Sequence, residues 1–215
     1  MTLILVFGPS TTYGAWDVEG GWVQRLRRYL DEKQLADPSI YYIVYNLGIS
    51  GDTSQGLLER FAFETEQRTK LRDEDEEIII IFSIGVNDSL FDNTTKQHSI
   101  PLEQYTLNLQ KLIDQARRYT KNIIFVGGTP IDDSKVDPVP WRPTCSYKSL
   151  FEEQYDEKCA VLCKKNKIPF IDVYHPFKKQ RNYLELLPDG VHPTAEGYKF
   201  IFEVVKNFLL KHKIL

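Results

Sequence analysis

A chain of 215 residues, 42% of them hydrophobic and 13% aromatic, can bury one substantial core and favours a single domain over residues 1–215. Its formal net charge is only −3 and its 27 Lys and Arg are scattered, so the basic stripe of a nucleic-acid binder is missing. No apolar stretch approaches the roughly 20 residues that a membrane-spanning helix needs.

The N-terminus runs from Met1 through Leu3-Ile4-Leu5-Val6-Phe7 to Gly8, Pro9 and Ser10, with no basic start and no small-residue cleavage site. It reads as a first strand rather than a signal peptide, and a soluble, cytoplasmic protein is expected. Further apolar runs at 40–45, 78–84, 123–126 and 168–173 are short, rich in β-branched or aromatic residues, and bounded by Gly, Asn, Asp or Pro. These predict five buried strands. Helical stretches fall between and after them, near 20–34, 53–66, 102–119, 147–165 and 194–212. In the third, Leu102, Tyr105, Leu109, Leu112, Ile113 and Ala116 recur at helical spacing and form one apolar stripe. Continuous apolar strands alternating with amphipathic helices predict a mostly parallel sheet covered on both faces. Such sheets hold ligands beyond the carboxyl ends of their strands. The charged run from Glu66 to Glu77 reads as a solvated helix end and loop.

The three cysteines, Cys145, Cys159 and Cys163, are an odd number and suggest no disulfide framework. Cys159 and Cys163 lie four apart on a predicted helix, yet no neighbouring Cys or His completes a zinc set, so buried thiols and no metal are expected.

The loops after the strands carry the chemistry. Ser10 follows the first strand, Asn46 to Thr53 the second and Gly85-Val86-Asn87-Asp88 the third, so all three should open on one sheet edge. The loop from Gly127 to about Tyr147 joins them and sets Trp141 among Pro138, Pro140 and Pro143. Asp189-Gly190-Val191-His192 precedes the last helix, whose start is marked by Pro193. Because a residue before proline is held extended, His192 should project from a stiff loop. A serine hydroxyl becomes a nucleophile when an imidazole takes its proton and a carboxylate fixes the tautomer of that imidazole. Ser10, His192 and Asp189 supply those three groups. Taken singly, the same residues also have bland readings. A lone Ser after a strand is an N-cap or turn residue, Asp88 is expected to cap the next helix, and Asp52 and Thr53 read as an N-cap pair. His98 and His175 have no partner pattern and read as structural or surface histidines. Tyr13, Trp16 and Trp141 are candidates for the wall of a ligand pocket, with helix packing as the alternative for Trp16.

In order, Gly8-Pro9-Ser10, Gly48 to Thr53, Gly85 to Asp88 and Asp189 to Pro193 resemble the four signature segments of the SGNH (GDSL-type) hydrolase superfamily and span nearly the whole chain. The resemblance implies an α/β fold, a flavodoxin-like three-layer α/β/α sandwich on a five-stranded parallel sheet. It implies esterase, lipase or acylhydrolase activity without a cofactor, on a small-molecule ester. Carried over by position, it makes Ser10 the nucleophile, His192 the general base and Asp189 its orienting carboxylate. The oxyanion hole is then the N–H groups of Ser10 and Gly51 with the Asn87 amide, and Val191 joins Tyr13, Trp16 and Trp141 at the substrate. Pro9 stands where the family usually has Asp, which removes side-chain hydrogen bonds from the nucleophile loop but leaves the Ser10 N–H. The site should stay assembled.

Short-chain carboxylic or thio-esters, cleaved through an acyl-Ser10 intermediate, are the expected substrates. The alternative, prompted by Pro9, is a weak or inactive relative that binds an acylated or carbohydrate ligand. A phosphate binder is a third possibility that the lack of a P-loop Lys-Ser/Thr ending disfavours. Asp132, Asp133 and Asp137 should make the rim acidic and disfavour anionic substrates. Action at a lipid interface is not expected, since no exposed apolar patch is evident.

Overall fold

In the computed structural model, which describes residues 1–73 and 76–215, side chains alternate across the first strand and divide the core in two. Leu3, Leu5 and Phe7 of β1 (Thr2–Gly8) enter one cluster, Ile4 and Val6 the other, as the two-residue period of a strand requires. Both faces of this strand are therefore covered.

After β1 the chain makes one helical turn, α1 (Ser10–Tyr13), and then runs through α2 (Gly21–Ala36), β2 (Tyr42–Gly48), α3 (Ser54–Thr69) and β3 (Glu77–Phe82). Two short strands, β4 (Phe91–Asp92) and β5 (Gln97–His98), precede α4 (Leu102–Ala116) and β6 (Asn122–Val126). Next come α5 (Asp133–Val136), β7 (Cys145–Ser146), α6 (Ser149–Asn166), β8 (Phe170–Ile171) and α7 (Tyr174–Lys178), a 3-10 turn at Tyr183–Leu186, and α8 (Ala195–Lys211).

The main sheet has five parallel strands in the order β2-β1-β3-β6-β8. Leu57 and Phe61 of α3, Leu109 and Leu112 of α4 and Tyr155 of α6 cover the face of Phe7 and Phe82. Trp22 and Leu26 of α2 with Tyr198 and Val205 of α8 cover the other face. This is the three-layer α/β/α arrangement. β2 runs through Gly48, beyond its apolar run, because an edge strand keeps alternating after the apolar letters end: Asn46 is exposed and Leu47 buried. Conversely, only Phe170 and Ile171 of the run at 168–173 pair with β6. A second, antiparallel sheet, β5-β4-β7, stands over the carboxyl end. Of the charged run at Glu66 to Glu77, Glu66 to Thr69 end α3, and residues 74 and 75 lie outside the described residues.

The register sets where the loops meet. Gly8 of β1 pairs with Gly48 of β2, the Ile49 N–H donates to Gly8 O at 2.9 Å, and the Ser83 N–H to Phe7 O at 2.9 Å. Three strands thus end side by side, and the three loops do open on one edge. A third apolar cluster, with Val86, Leu90, Ile131, Val136, Val139, Tyr147 and Val191, pins the Gly127–Tyr147 loop to this edge.

Candidate active site

Pro9 precedes α1 with an extended backbone, and its carbonyl accepts from the N–H groups of Thr12 and Tyr13, both at 3.0 Å. Ser10 is therefore the first helical residue rather than a cap, and only 4% exposed. Its Oγ lies 2.8 Å from His192 Nε2, so with Pro9 before it the Ser10 loop still meets the imidazole.

On the far side of the imidazole, Nδ1 is 2.6 Å from Asp189 Oδ2. Gly190, at φ +92°, turns the chain back so that Asp189 Oδ1 accepts from the N–H groups of Val191 at 2.9 Å and His192 at 2.8 Å. Burial pushes the Asp189 carboxyl up, but the His192 ring and these two N–H donors outweigh it and hold the pKa down to about 2. An ionised Asp189 favours the tautomer with the proton on Nδ1, in which Nε2 accepts from Ser10.

Among the described residues, the N–H groups of Ser10 and Gly51 donate to no protein acceptor. Gly51 is needed for its backbone rather than for closeness: a Cβ there would meet nothing, but φ is +79°, which L side chains rarely adopt. The Asn87 amide is fixed at both ends, donating from Nδ2 to Asp52 O at 2.8 Å and accepting at Oδ1 from the Tyr147 hydroxyl at 2.8 Å. That orientation leaves its second N–H available. Tyr147 was missed by the sequence reading, where its position in a loop was its only signal.

Trp16 belongs to neither the core nor a closed pocket. It is 75% exposed, and its Nε1 lies 3.2 Å from Asp189 Oδ2 and 3.1 Å from His192 Nδ1. Tyr13 and Trp16 line a concavity of about 440 Å³ with Val18 and Asn46. Trp141 lines another, of about 320 Å³, together with Gly51, Asn87, Leu90, Arg142 and Tyr147. Val191, expected at the substrate, is buried at 3% exposure in the third apolar cluster, where its side chain packs with Val86, Leu90 and Val136.

Asp88 caps no following helix; its buried carboxylate accepts from the Ser54 N–H at 3.0 Å and so caps the preceding α3, with burial raising its pKa to about 7. Thr53 is the N-cap of α3, accepting from the Gly56 N–H, whereas Asp52 pairs with Arg60 at 2.7 Å. The rim is not a free acidic surface, since Asp132 pairs with Lys135, Asp137 with Lys148, and Asp133 accepts from the Ser149 N–H. Tyr13 at the end of α1, with Trp16, Val18, Ile49 and Trp141, is exposed. His98 sits against Ser89 O and the rings of Phe91 and Phe151, and His175 faces Asp172, both apart from Ser10. The three cysteines are buried and free.

The fold is shared with solved hydrolases. It matches a lipase/acylhydrolase from Enterococcus faecalis with a TM-score of 0.74 and 19% identity, over 97% of this chain and 95% of that one. It matches an acetylxylan esterase from Geobacillus stearothermophilus with a TM-score of 0.71 and 21% identity, over 96% and 92%. In sequence, it is 25% identical over 208 residues to a human isoamyl acetate-hydrolyzing esterase 1 homolog, covering 93% of this chain and 77% of that protein. The bovine homolog is also 25% identical, over 213 residues. With residues 6–200 matching the family model as well, the chain belongs to the GDSL-like lipase/acylhydrolase family.

Proposed function

We propose that this ester hydrolase of the GDSL type cleaves short-chain carboxylic or thio-esters by a serine mechanism, with Ser10 as nucleophile. The observation that carries the reading is the continuous chain Ser10 Oγ, His192 Nε2, His192 Nδ1, Asp189 Oδ2, with links of 2.8 and 2.6 Å. His192 takes the proton as Ser10 Oγ attacks the carbonyl carbon, and Asp189 stabilises the imidazolium that forms. The negative charge moves to the former carbonyl oxygen, which the N–H groups of Ser10 and Gly51 and the free N–H of Asn87 stabilise. The intermediate collapses to acyl-Ser10, and His192 returns the proton to the leaving alkoxide or thiolate. Water, deprotonated by His192, then releases the acid and restores Ser10.

The two concavities divide the ester. His192 must protonate the leaving group, so the alcohol lies on the side walled by Trp16 and Tyr13. The acyl chain then lies on the side of Gly51, Asn87 and Trp141, where about 320 Å³ accommodates a short chain. Relatives named for isoamyl acetate and for acetylxylan support an acetyl or other short acyl group. Cytoplasmic action stays part of this proposal; among the described residues, no helix is long and apolar enough to cross a membrane.

The test is hydrolysis of p-nitrophenyl esters from acetate to decanoate by the wild type and by Ser10→Ala. Turnover that peaks at short chains and vanishes in Ser10→Ala is expected. A folded wild type without turnover, but with saturable binding of an acetylated sugar, would favour the alternative that Pro9 prompts, a weak or inactive binding protein.

A further inference from the structure

Trp16 has φ 66°, in the left-handed region, where a bulky side chain remains only if its surroundings hold it there. The neighbours on both sides do so. The Ala15 N–H donates to Ser10 O at 3.0 Å, and Ala15 O accepts from the Tyr198 hydroxyl at 3.1 Å. The Asp17 carboxylate accepts from the N–H groups of Glu19 and Gly21, both at 3.0 Å, and pairs with the buried Arg25. Arg25 also donates to Gly21 O and, at 3.2 Å, to Ala195 O at the start of α8.

Burial does not explain this conformation, since the indole is three-quarters exposed. What the conformation achieves is contact with the acid–base pair: the indole N–H reaches Asp189 Oδ2 at 3.2 Å, and the ring stands edge-on to the His192 ring at 5.7 Å. His192 Nδ1, although 3.1 Å from the indole nitrogen, is not its acceptor, because that atom carries the proton given to Asp189. Asp189 then receives four donors, two on each oxygen, which fills the acceptor capacity of a carboxylate.

We propose that Trp16 is a positioning residue, whose indole N–H completes the acceptor set of Asp189 and whose ring roofs the Asp189–His192 pair against water. The inference rests on the reading of Ser10, His192 and Asp189 as the reacting chain. A carboxylate that loses one of four donors holds its charge less tightly and favours the protonated imidazole more. The three remaining donors, the Val191 and His192 N–H groups and His192 Nδ1, keep the carboxylate beside the ring. In Trp16→Phe the ring stays and the donor goes, so the His192 titration should move to higher pH and kcat should fall. The other groups that bear on the pair are untouched: Ser10, the Tyr147 and Tyr198 phenols, which feel the charge of Asp189, the Asp17–Arg25 pair under the loop, and the Asp132–Lys135 pair near Leu187.

The experiment follows the histidine ring proton resonances by NMR against pH, without substrate, in wild type and Trp16→Phe, with His192→Gln to assign the signal. The expected result is a titration midpoint moved to higher pH. It should be accompanied by a kcat on p-nitrophenyl acetate lowered on the order of 10-fold, with KM within about twofold of wild type. An unmoved midpoint, or a change confined to KM, would overturn the proposal and leave Trp16 a pocket wall. Because the titration needs no turnover, a shifted midpoint in a protein that hydrolyses no ester would contradict the hydrolase reading alone.

Discussion

At Asn87, two hydrogen bonds decide which way an amide faces: Tyr147 donates to Oδ1 while Nδ2 donates to Asp52 O. If the remaining N–H serves the oxyanion, Asn87→Ala should lower kcat on the order of 10²- to 10³-fold with little change in KM, measured by steady-state kinetics on p-nitrophenyl acetate. Tyr147→Phe keeps the ring in its apolar cluster but releases Oδ1, and should lower kcat by a smaller factor, again with KM held. A rise in KM without a fall in kcat in either variant would place these residues in ground-state binding instead. Ser10, His192 and Asp189 were legible in the sequence because four short segments follow one another in the order that the resemblance requires, although each segment alone has a bland reading. Tyr147 and the Trp16 contact were not, since both depend on how distant loops lie against each other. The positive φ that calls for glycine at Gly51 was not legible either, since it depends on how the loop after β2 folds.

Among the elements, β1, β3 and β6 were readable because continuous β-branched and aromatic runs suit strands buried on both faces, whereas β2 and β8 were found with bounds that the structure shifts. The antiparallel sheet β5-β4-β7 was not, as strands of two residues have no period to read. Nor was the tie between α2 and α8. Arg25 is buried at 8% exposure and joins Asp17 in the Trp16 loop to Ala195 at the head of α8, just beyond His192. Removing the cation leaves Asp17 buried without its partner, so Arg25→Met should destabilise the protein by about 3–5 kcal/mol in urea unfolding. It should also lower kcat more than Glu19→Gln, whose side chain is half exposed and contacts the same arginine from outside. Equal stability of Arg25→Met and wild type would show that the tie is dispensable.

For the molecule as a whole, buried carboxyls set the response to pH. Burial raises the Asp88 and Asp156 pKa values to about 7 each and pushes Glu152 well above the usual carboxylate range. Unfolded carboxyls release their protons near pH ~4, so the folded protein binds more protons than the unfolded chain from there to about pH 7. Stability therefore falls as pH rises through that interval. Asp189, held at about 2, acts in the opposite sense: its contribution is present above pH ~4 and is lost as pH falls toward 2. The urea midpoint should be higher at pH 5 than at pH 8, and Asp156→Asn, which keeps an acceptor for the Gly128 N–H, should narrow the difference. Equal midpoints would show that these groups ionise freely in the fold. Nothing in the sequence announced them, because a Glu and an Asp four apart on α6 look like a solvated face until the loop at Gly127 and Gly128 closes over them.

Treating the folded protein with a fluorophosphonate and locating the adduct by peptide mass spectrometry tests whether Ser10 is an activated nucleophile despite Pro9. A single phosphonyl group should form on Ser10 in the wild type and be lost on urea unfolding or in His192→Gln. A folded protein that takes no label, or takes it on another residue, would contradict an activated Ser10.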